Sequence, residues 1–224
     1  MKTVILCYHK VGFESEEGRF LNCSPLQLAS HARFFQRKQW KNFLPRDFST
    51  ERKAGICFTF DDAYVSAVAN APDILEKFGF RGAFYVVPQL VGQSSFWDEG
   101  RARPLAGWDE LIAIAGRGHE LGNHTMSHPR LDGLTREGQI KELQEASIAL
   151  QAKGIEVASV AFPYGAFNSK TLIAMEQVGI KVGLALGKRP VGAEQSNCLP
   201  RIVVGYSDTI AMLLYKIYVR PSLP

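Results

Sequence analysis

Seven short runs rich in Val, Ile, Leu and Phe alternate with helical patterns along this 224-residue chain, and that alternation limits the fold more than any other feature. The runs cover residues 4–8, 55–60, 82–87, 120–122, 157–162, 181–186 and 199–204. Several are apolar at nearly every position, as strands covered on both faces should be. Ser24-Pro25-Leu26-Gln27 combines an N-cap Ser, Pro at the first helical position and Gln three residues after the cap, which predicts a helix reaching about residue 40. Further helices are predicted over residues 65–78, 108–117, 135–153, 169–177 and 207–218. Strands alternating with helices imply an α/β fold with a parallel sheet, closed or open. No glycine-rich phosphate loop follows a strand, which favours an irregular (β/α) barrel of about seven parallel strands over a nucleotide-binding open sheet. Residues 11–23 and 92–106 form long connections that carry Gly and charge, and both are expected to lie over a site at one mouth of the barrel. Without repeats or a low-complexity linker, residues 1–224 read as a single domain.

Composition narrows the class of partner. A formal charge of +4, with basic residues never running longer than a pair, gives no case for nucleic-acid binding. The densest basic patch, Arg33, Arg37, Lys38 and Lys41, has the spacing of a solvated helix face. No run is long enough to span a bilayer, and the opening residues lack the pattern of a signal peptide. Cys7, Cys57 and Cys198 lie in apolar runs and Cys23 in a polar loop, with no Cys-x-x-Cys pair. Buried reduced thiols and a cytoplasmic protein are the expectation.

Chemistry concentrates in two motifs. Thr59-Phe60-Asp61-Asp62 closes an apolar run, and His124-Thr125-Met126-Ser127-His128 follows about sixty residues later. One Asp with two His can hold a divalent metal and leave a coordination position open, the arrangement of catalytic zinc sites, while the second Asp serves as a base. An isolated Asp pair at a strand end also serves as a helix cap, and His-x-x-x-His alone is a weak signal. Found together, the motifs favour a metal-dependent hydrolase. Alternation along an extended chain would divide the two carboxylates, and a helical turn would bring both imidazoles to one face.

These motifs resemble those of the polysaccharide deacetylase family (carbohydrate esterase family four, the NodB-homology domain). Phe162-Pro163-Tyr164-Gly165 resembles the family's third motif, and Gly118-His119-Glu120-Leu121-Gly122-Asn123 its approach to the histidines. The resemblance implies that Asp62, His124 and His128 hold the metal and that Asp61 is the general base. It also implies that the turn at Tyr164 offers a backbone N–H to the oxyanion. Zinc suits such ligands, and cobalt, nickel or iron could occupy them. Two positions depart from the family pattern. Where an Arg usually pairs with the catalytic Asp, this chain has Ala161; Arg201 either supplies that charge or makes an ordinary strand-end ion pair. No His follows His128, so the family's carboxyl-terminal general acid has no counterpart in place. His9, ending the first apolar run after Tyr8, is the candidate acid, in the permuted order of the biofilm-polysaccharide deacetylase branch. Trp97, Pro163 and Tyr164 are candidate substrate contacts, since aromatic faces pack on sugar rings. Trp108 reads as a core anchor, and His31 and His119 as structural. The implied activity is removal of N-acetyl groups from an N-acetylated sugar in a glycan or glycan precursor. An O-acetyl esterase or other amide hydrolase of this fold, and a glycan-binding domain without turnover, are the alternatives.

Overall fold

The computed structural model describes residues 3–49, 54–98, 101–187 and 197–222. Residues 99 and 100 of the second predicted loop lie outside them. All seven predicted strands form, and they close into one parallel barrel. In chain order the elements begin with β1 (Thr3–Tyr8), the short strand β2 (Lys10–Val11), the single turn α1 (Glu14–Glu17), β3 (Asn22–Cys23) and α2 (Pro25–Arg37). Next come β4 (Gly55–Phe60), α3 (Val65–Lys77), β5 (Gly82–Val86), α4 (Trp108–Gly116), β6 (Glu120–Asn123) and α5 (Arg136–Gln151). The chain finishes with β7 (Ser159–Ala161), α6 (Ser169–Gln177), β8 (Val182–Leu186), β9 (Cys198–Val203) and α7 (Ile210–Leu214). The barrel order is β1-β4-β5-β6-β7-β8-β9, and Leu6 and Cys7 pair with Ile202 and Val203 to close it. First and last strands are therefore neighbours.

Side-chain alternation sorts the core into two faces. Ile5, Cys57, Ala83, Tyr85, Ala161, Leu184 and Leu199 cluster without any residue of the α-helices, on the interior face. Leu6, Tyr8, Phe58, Phe60 and Phe84 point the other way, onto Leu28 and Phe35 of α2 and Ala67, Ala71 and Leu75 of α3. Burying each of these large side chains contributes roughly 1.5–3 kcal/mol. The predicted helix starts hold at their caps: Ser24 Oγ accepts from Gln27 N–H at 3.2 Å, and Thr135 Oγ1 from Gly138 N–H at 3.1 Å.

Three expectations are corrected. Residues 11–23 are not a plain loop, because β2 and β3 pair in parallel and Asn22 is buried, bonding to Gly12 and Gly18. Cys23 accordingly sits in the core rather than in a polar loop. His31 is structural as expected, fully buried, accepting from Tyr8 O–H (3.0 Å) and donating to the Asp208 carbonyl (2.6 Å). The last helix begins three residues late, at Ile210, and widens into a π-turn over Tyr215–Val219. His119 is structural as expected: its Nδ1 accepts from Gly82 N–H at 3.0 Å and its Nε2 lies 3.1 Å from Glu76.

Candidate active site

Parallel strands deliver their carboxyl ends to one mouth of the barrel, where catalytic groups of such folds collect. Asp61 and Asp62 follow β4, His124 follows β6, Tyr164 lies just beyond β7, and His9 follows β1. Backbone bonds hold them there: Asp61 N–H donates to Tyr8 O (2.9 Å) and His124 N–H to Val86 O (2.9 Å). The cleft they share is also lined by Leu21, Trp97, Gly165, Leu186 and Val203.

The local backbone differs from the extended and helical geometries expected of the motifs. Asp62, Ala63, Thr125, His128 and Tyr164 all have left-handed φ values, between 53° and 67°. Non-glycine residues rarely adopt this region, and such residues gather at sites where the surroundings enforce them. A left-handed step, not strand alternation, turns Asp62 away from Asp61. Residues 124–128 form no helical turn. Asn123 and Thr125 enforce their shape, since Asn123 Oδ1 accepts from Thr125 N–H (2.7 Å) and Thr125 Oγ1 from His128 N–H (3.0 Å). Ser127 binds Glu142 of α5 through both its N–H (2.9 Å) and its hydroxyl (2.7 Å).

The three candidate ligands converge. His124 Nε2 and His128 Nε2 lie 3.2 and 3.1 Å from Asp62 Oδ1, and all three side chains are nearly buried. His124 Nδ1 lies 2.8 Å from the Ala161 carbonyl, which only accepts, so this nitrogen carries the proton. In the neutral ring its Nε2 then presents a lone pair to a carboxylate. Asp62 Oδ1 itself is buried without a hydrogen bond. Lone pairs converging on an orphaned oxygen fit a divalent cation, and the spacing approaches the edge of a zinc tetrahedron, about 3.3–3.6 Å for ligands at about 2.0–2.2 Å.

Asp61 is held differently. Arg201, fully buried on β9, donates from both terminal nitrogens to Oδ1 and Oδ2 at 2.6 and 2.7 Å. It also donates to Thr59 Oγ1 at 3.2 Å and lies over the Tyr85 ring. Arg201 is thus the buried ion-pair partner of Asp61. Burial raises the Asp61 carboxyl, yet the guanidinium more than compensates and keeps it ionised. Cys7 Sγ donates to Asp61 Oδ2 at 3.4 Å, a contact the sequence reading missed. Its signal was the alternation of β1, which places Ile5, Cys7 and His9 on one face.

His9 reaches the cleft, and donor atoms of Cys7, His9 and Asp61 lie within 4.8 Å of one another. Burial lowers its basicity while the Asp61 and Asp62 charges oppose that shift. Tyr164 is half exposed beside His128; its turn uses Gly165 N–H to bond Phe162 O and Ala166 N–H to bond Pro163 O. Pro163 is buried beneath that turn and does not line the cleft, so it shapes the turn rather than contacting substrate. Trp97 stacks on His128, with ring centroids 3.8 Å apart. Trp108 packs against the core as expected.

A closed parallel barrel with an Asp-His-His cluster at its mouth defines a hydrolase-like site, and comparison with known proteins places it in a family. The polysaccharide deacetylase profile matches residues 49–183, more than half of the chain. The chain belongs to the polysaccharide deacetylase family. Bacillus subtilis YxkH, which bears the name of a polysaccharide deacetylase, is 22% identical over 191 residues, covering 82% of this chain and 64% of YxkH. This chain therefore spans less than two thirds of that relative's length. In fold it is similar to the Streptococcus pyogenes deacetylase PplD in complex with acetate (TM-score 0.82, 20% identity, 96% of this chain and 98% of that one). It is also similar to a de-N-acetylase from Aggregatibacter actinomycetemcomitans (TM-score 0.79, 17% identity, 96% of this chain and 100% of that one).

Proposed function

We propose that this chain is a divalent-metal-dependent deacetylase that hydrolyses the N-acetyl group of an N-acetylated sugar in a glycan or glycan precursor. The observation that carries the reading is the convergence of His124 Nε2 and His128 Nε2 on the orphaned Asp62 Oδ1, beside a second carboxylate clamped by Arg201. Asp62, His124 and His128 would hold the cation. When bound, it would supply polarisation of the acetyl carbonyl and acidify a water molecule.

The chain's own residues do the rest. Asp61, ionised and oriented by Arg201 and Cys7, takes a proton from the attacking water. The Tyr164 N–H would donate to the developing oxyanion, as preorganised backbone donors do in acyl transfer. His9, close to Asp61 in the same cleft, passes a proton to the departing nitrogen. Burial favours a neutral resting His9, so the proton it delivers originates from the water through Asp61. The closure of β1 onto β9 supports the displaced order, because a His after the first strand and one after the last face the same mouth. Zinc fits the one-carboxylate, two-imidazole set; cobalt, nickel or iron are its competitors.

The de-N-acetylase from Aggregatibacter actinomycetemcomitans that shares this fold supports the amide reading. A binding domain without turnover is the alternative that the missing motif Arg and the displaced acid leave open, and the Arg201–Asp61 pair weighs against the first of these grounds. The test is acetate release from N-acetylated oligosaccharides by protein stripped with chelator and then reloaded with zinc. Release only after reloading is expected. No release from the reloaded protein on any N-acetylated glycan would reject the reading.

A further inference from the structure

Histidines that hold a metal almost always donate their second ring N–H to a carbonyl, carboxylate or water, which fixes the tautomer and the ring orientation. His124 does so, through Nδ1 to the Ala161 carbonyl. His128 does not: its Nδ1 is buried and has no hydrogen-bond partner among the described residues. Two aromatic rings enclose it instead. Trp97 stacks on it at 3.8 Å between centroids with planes 25° apart, and Tyr164 meets it at 4.9 Å and 60°. Tyr164 is 48% exposed, so Trp97 is the firmer wall.

We propose that Trp97 is a positioning residue for His128, orienting by stacking the imidazole that no hydrogen bond orients, and that Tyr64, Asp98 and Lys10 form the latch holding Trp97 in place. This inference rests on the reading that Asp62, His124 and His128 hold a divalent cation.

The latch is continuous. Trp97 Nε1–H donates to Tyr64 Oη at 2.9 Å, and Tyr64 O–H donates to Asp98 Oδ2 at 2.7 Å. Ser95 donates to the same oxygen at 2.6 Å, and Lys10 Nζ donates to Asp98 Oδ1 at 3.0 Å. Lys10 and Asp98 side chains are only 3% and 7% exposed, so each needs the other to remain buried as an ion. Chain order gives the latch its purpose. Lys10 adjoins His9, and Tyr64 lies two residues beyond Asp62. The loop carrying Trp97 is tied to that same turn, with Ala106 N–H donating to Ala63 O (2.9 Å) and Val65 N–H to Pro104 O (3.0 Å). The segments that bear Asp62 and His9 thereby also fix the ring that orients His128. Without the stack, the imidazole gains freedom about its broad terminal torsion, and that freedom must be lost again each time it ligates.

The test is titration of metal-free protein with Co²⁺, following affinity and the visible d–d absorption bands. Trp97→Leu should weaken Co²⁺ binding by about 10- to 100-fold, the usual effect of removing a support behind a metal ligand. Trp97→Phe, which keeps a stacking ring but gives up the Nε1–H bond to Tyr64, should lose no more than about fivefold in affinity and keep the wild-type spectrum. Equal affinity and spectrum in Trp97→Leu and wild type would overturn the proposal. If Trp97→Leu lacks a cooperative thermal transition, Tyr64→Phe decides, since it deletes one hydroxyl from the latch. An affinity loss of about fivefold, the worth of one hydrogen bond, supports the latch, and unchanged affinity rejects it. Failure of the wild-type protein itself to bind Co²⁺ would instead defeat the metal-dependent reading beneath it.

Discussion

Arg201 and Asp61 meet at the barrel mouth through two parallel hydrogen bonds of 2.6 and 2.7 Å, with the guanidinium wholly removed from water. Bidentate geometry fixes where the carboxylate points as well as its charge. A buried pair of this kind adds little net stability over an apolar pair, yet removing one partner strands the other.

That asymmetry gives a first prediction. Asp61→Asn should lower turnover by about 10²- to 10⁴-fold, the usual worth of a general base, and should also destabilise the fold by about 3–5 kcal/mol because Arg201 loses its counter-charge. Adding Arg201→Met to Asp61→Asn should recover part of the stability and none of the activity. Denaturant unfolding and acetate release on the single and double variants measure both quantities.

His9 should matter only where a leaving group needs a proton. His9→Ala should leave folding and metal content intact, lower turnover on N-acetylated sugars by about 10²-fold or more, and spare an activated acetyl ester. Equal loss on both substrates would make His9 structural.

The buried imidazole of His31 predicts a pH dependence of stability. Burial pulls its pKa from 6.5 down to about 4. An unfolded chain protonates this group below its ordinary value while the native state still holds it neutral, so the unfolded state binds more protons in that window. Stability is complete above about pH 6.5 and falls as the pH drops toward 4, by roughly 3 kcal/mol in all. Urea unfolding across that range should show the loss, and His31→Gln should flatten its share of the slope.

Gly165 predicts how tightly the Tyr164 turn is set. Its φ is +67°, and a Cβ there would approach Leu186 Cγ to 2.8 Å. Gly165→Ala therefore meets both backbone strain and a clash, and should cost about 1–3 kcal/mol. If Tyr164 N–H serves the oxyanion, kcat should fall more than KM rises.

The barrel was legible because its strands are short, apolar and regularly punctuated: every one of the seven runs became a barrel strand, and Ser24 and Thr135 cap the helices they were expected to start. A site joining one Asp to His124 and His128 was legible from motif type and spacing, and the choice of Asp62 came from the family resemblance; the left-handed backbone that achieves it was not legible, because φ at Asp62 or His128 is imposed by neighbours such as Thr125 rather than encoded by residue type. Arg201 could be suspected but not placed, since strand register decides whether a residue enters the barrel. Cys7, Lys10 and Tyr64 read as ordinary core or strand residues; their contacts to Asp61 and Asp98 join segments about thirty to ninety residues apart, beyond what local pattern carries.

The central claim is that Asp62, His124 and His128 form a metal centre with Asp61 beside it and not in it. Metal content after zinc loading and gel filtration, measured by mass spectrometry on wild type, Asp61→Asn and His128→Ala, tests it most directly. The account predicts a single tightly held zinc ion in wild type and in Asp61→Asn, and almost none in folded His128→Ala. Zinc retained at full stoichiometry by His128→Ala, or absent from the wild-type protein, would contradict it.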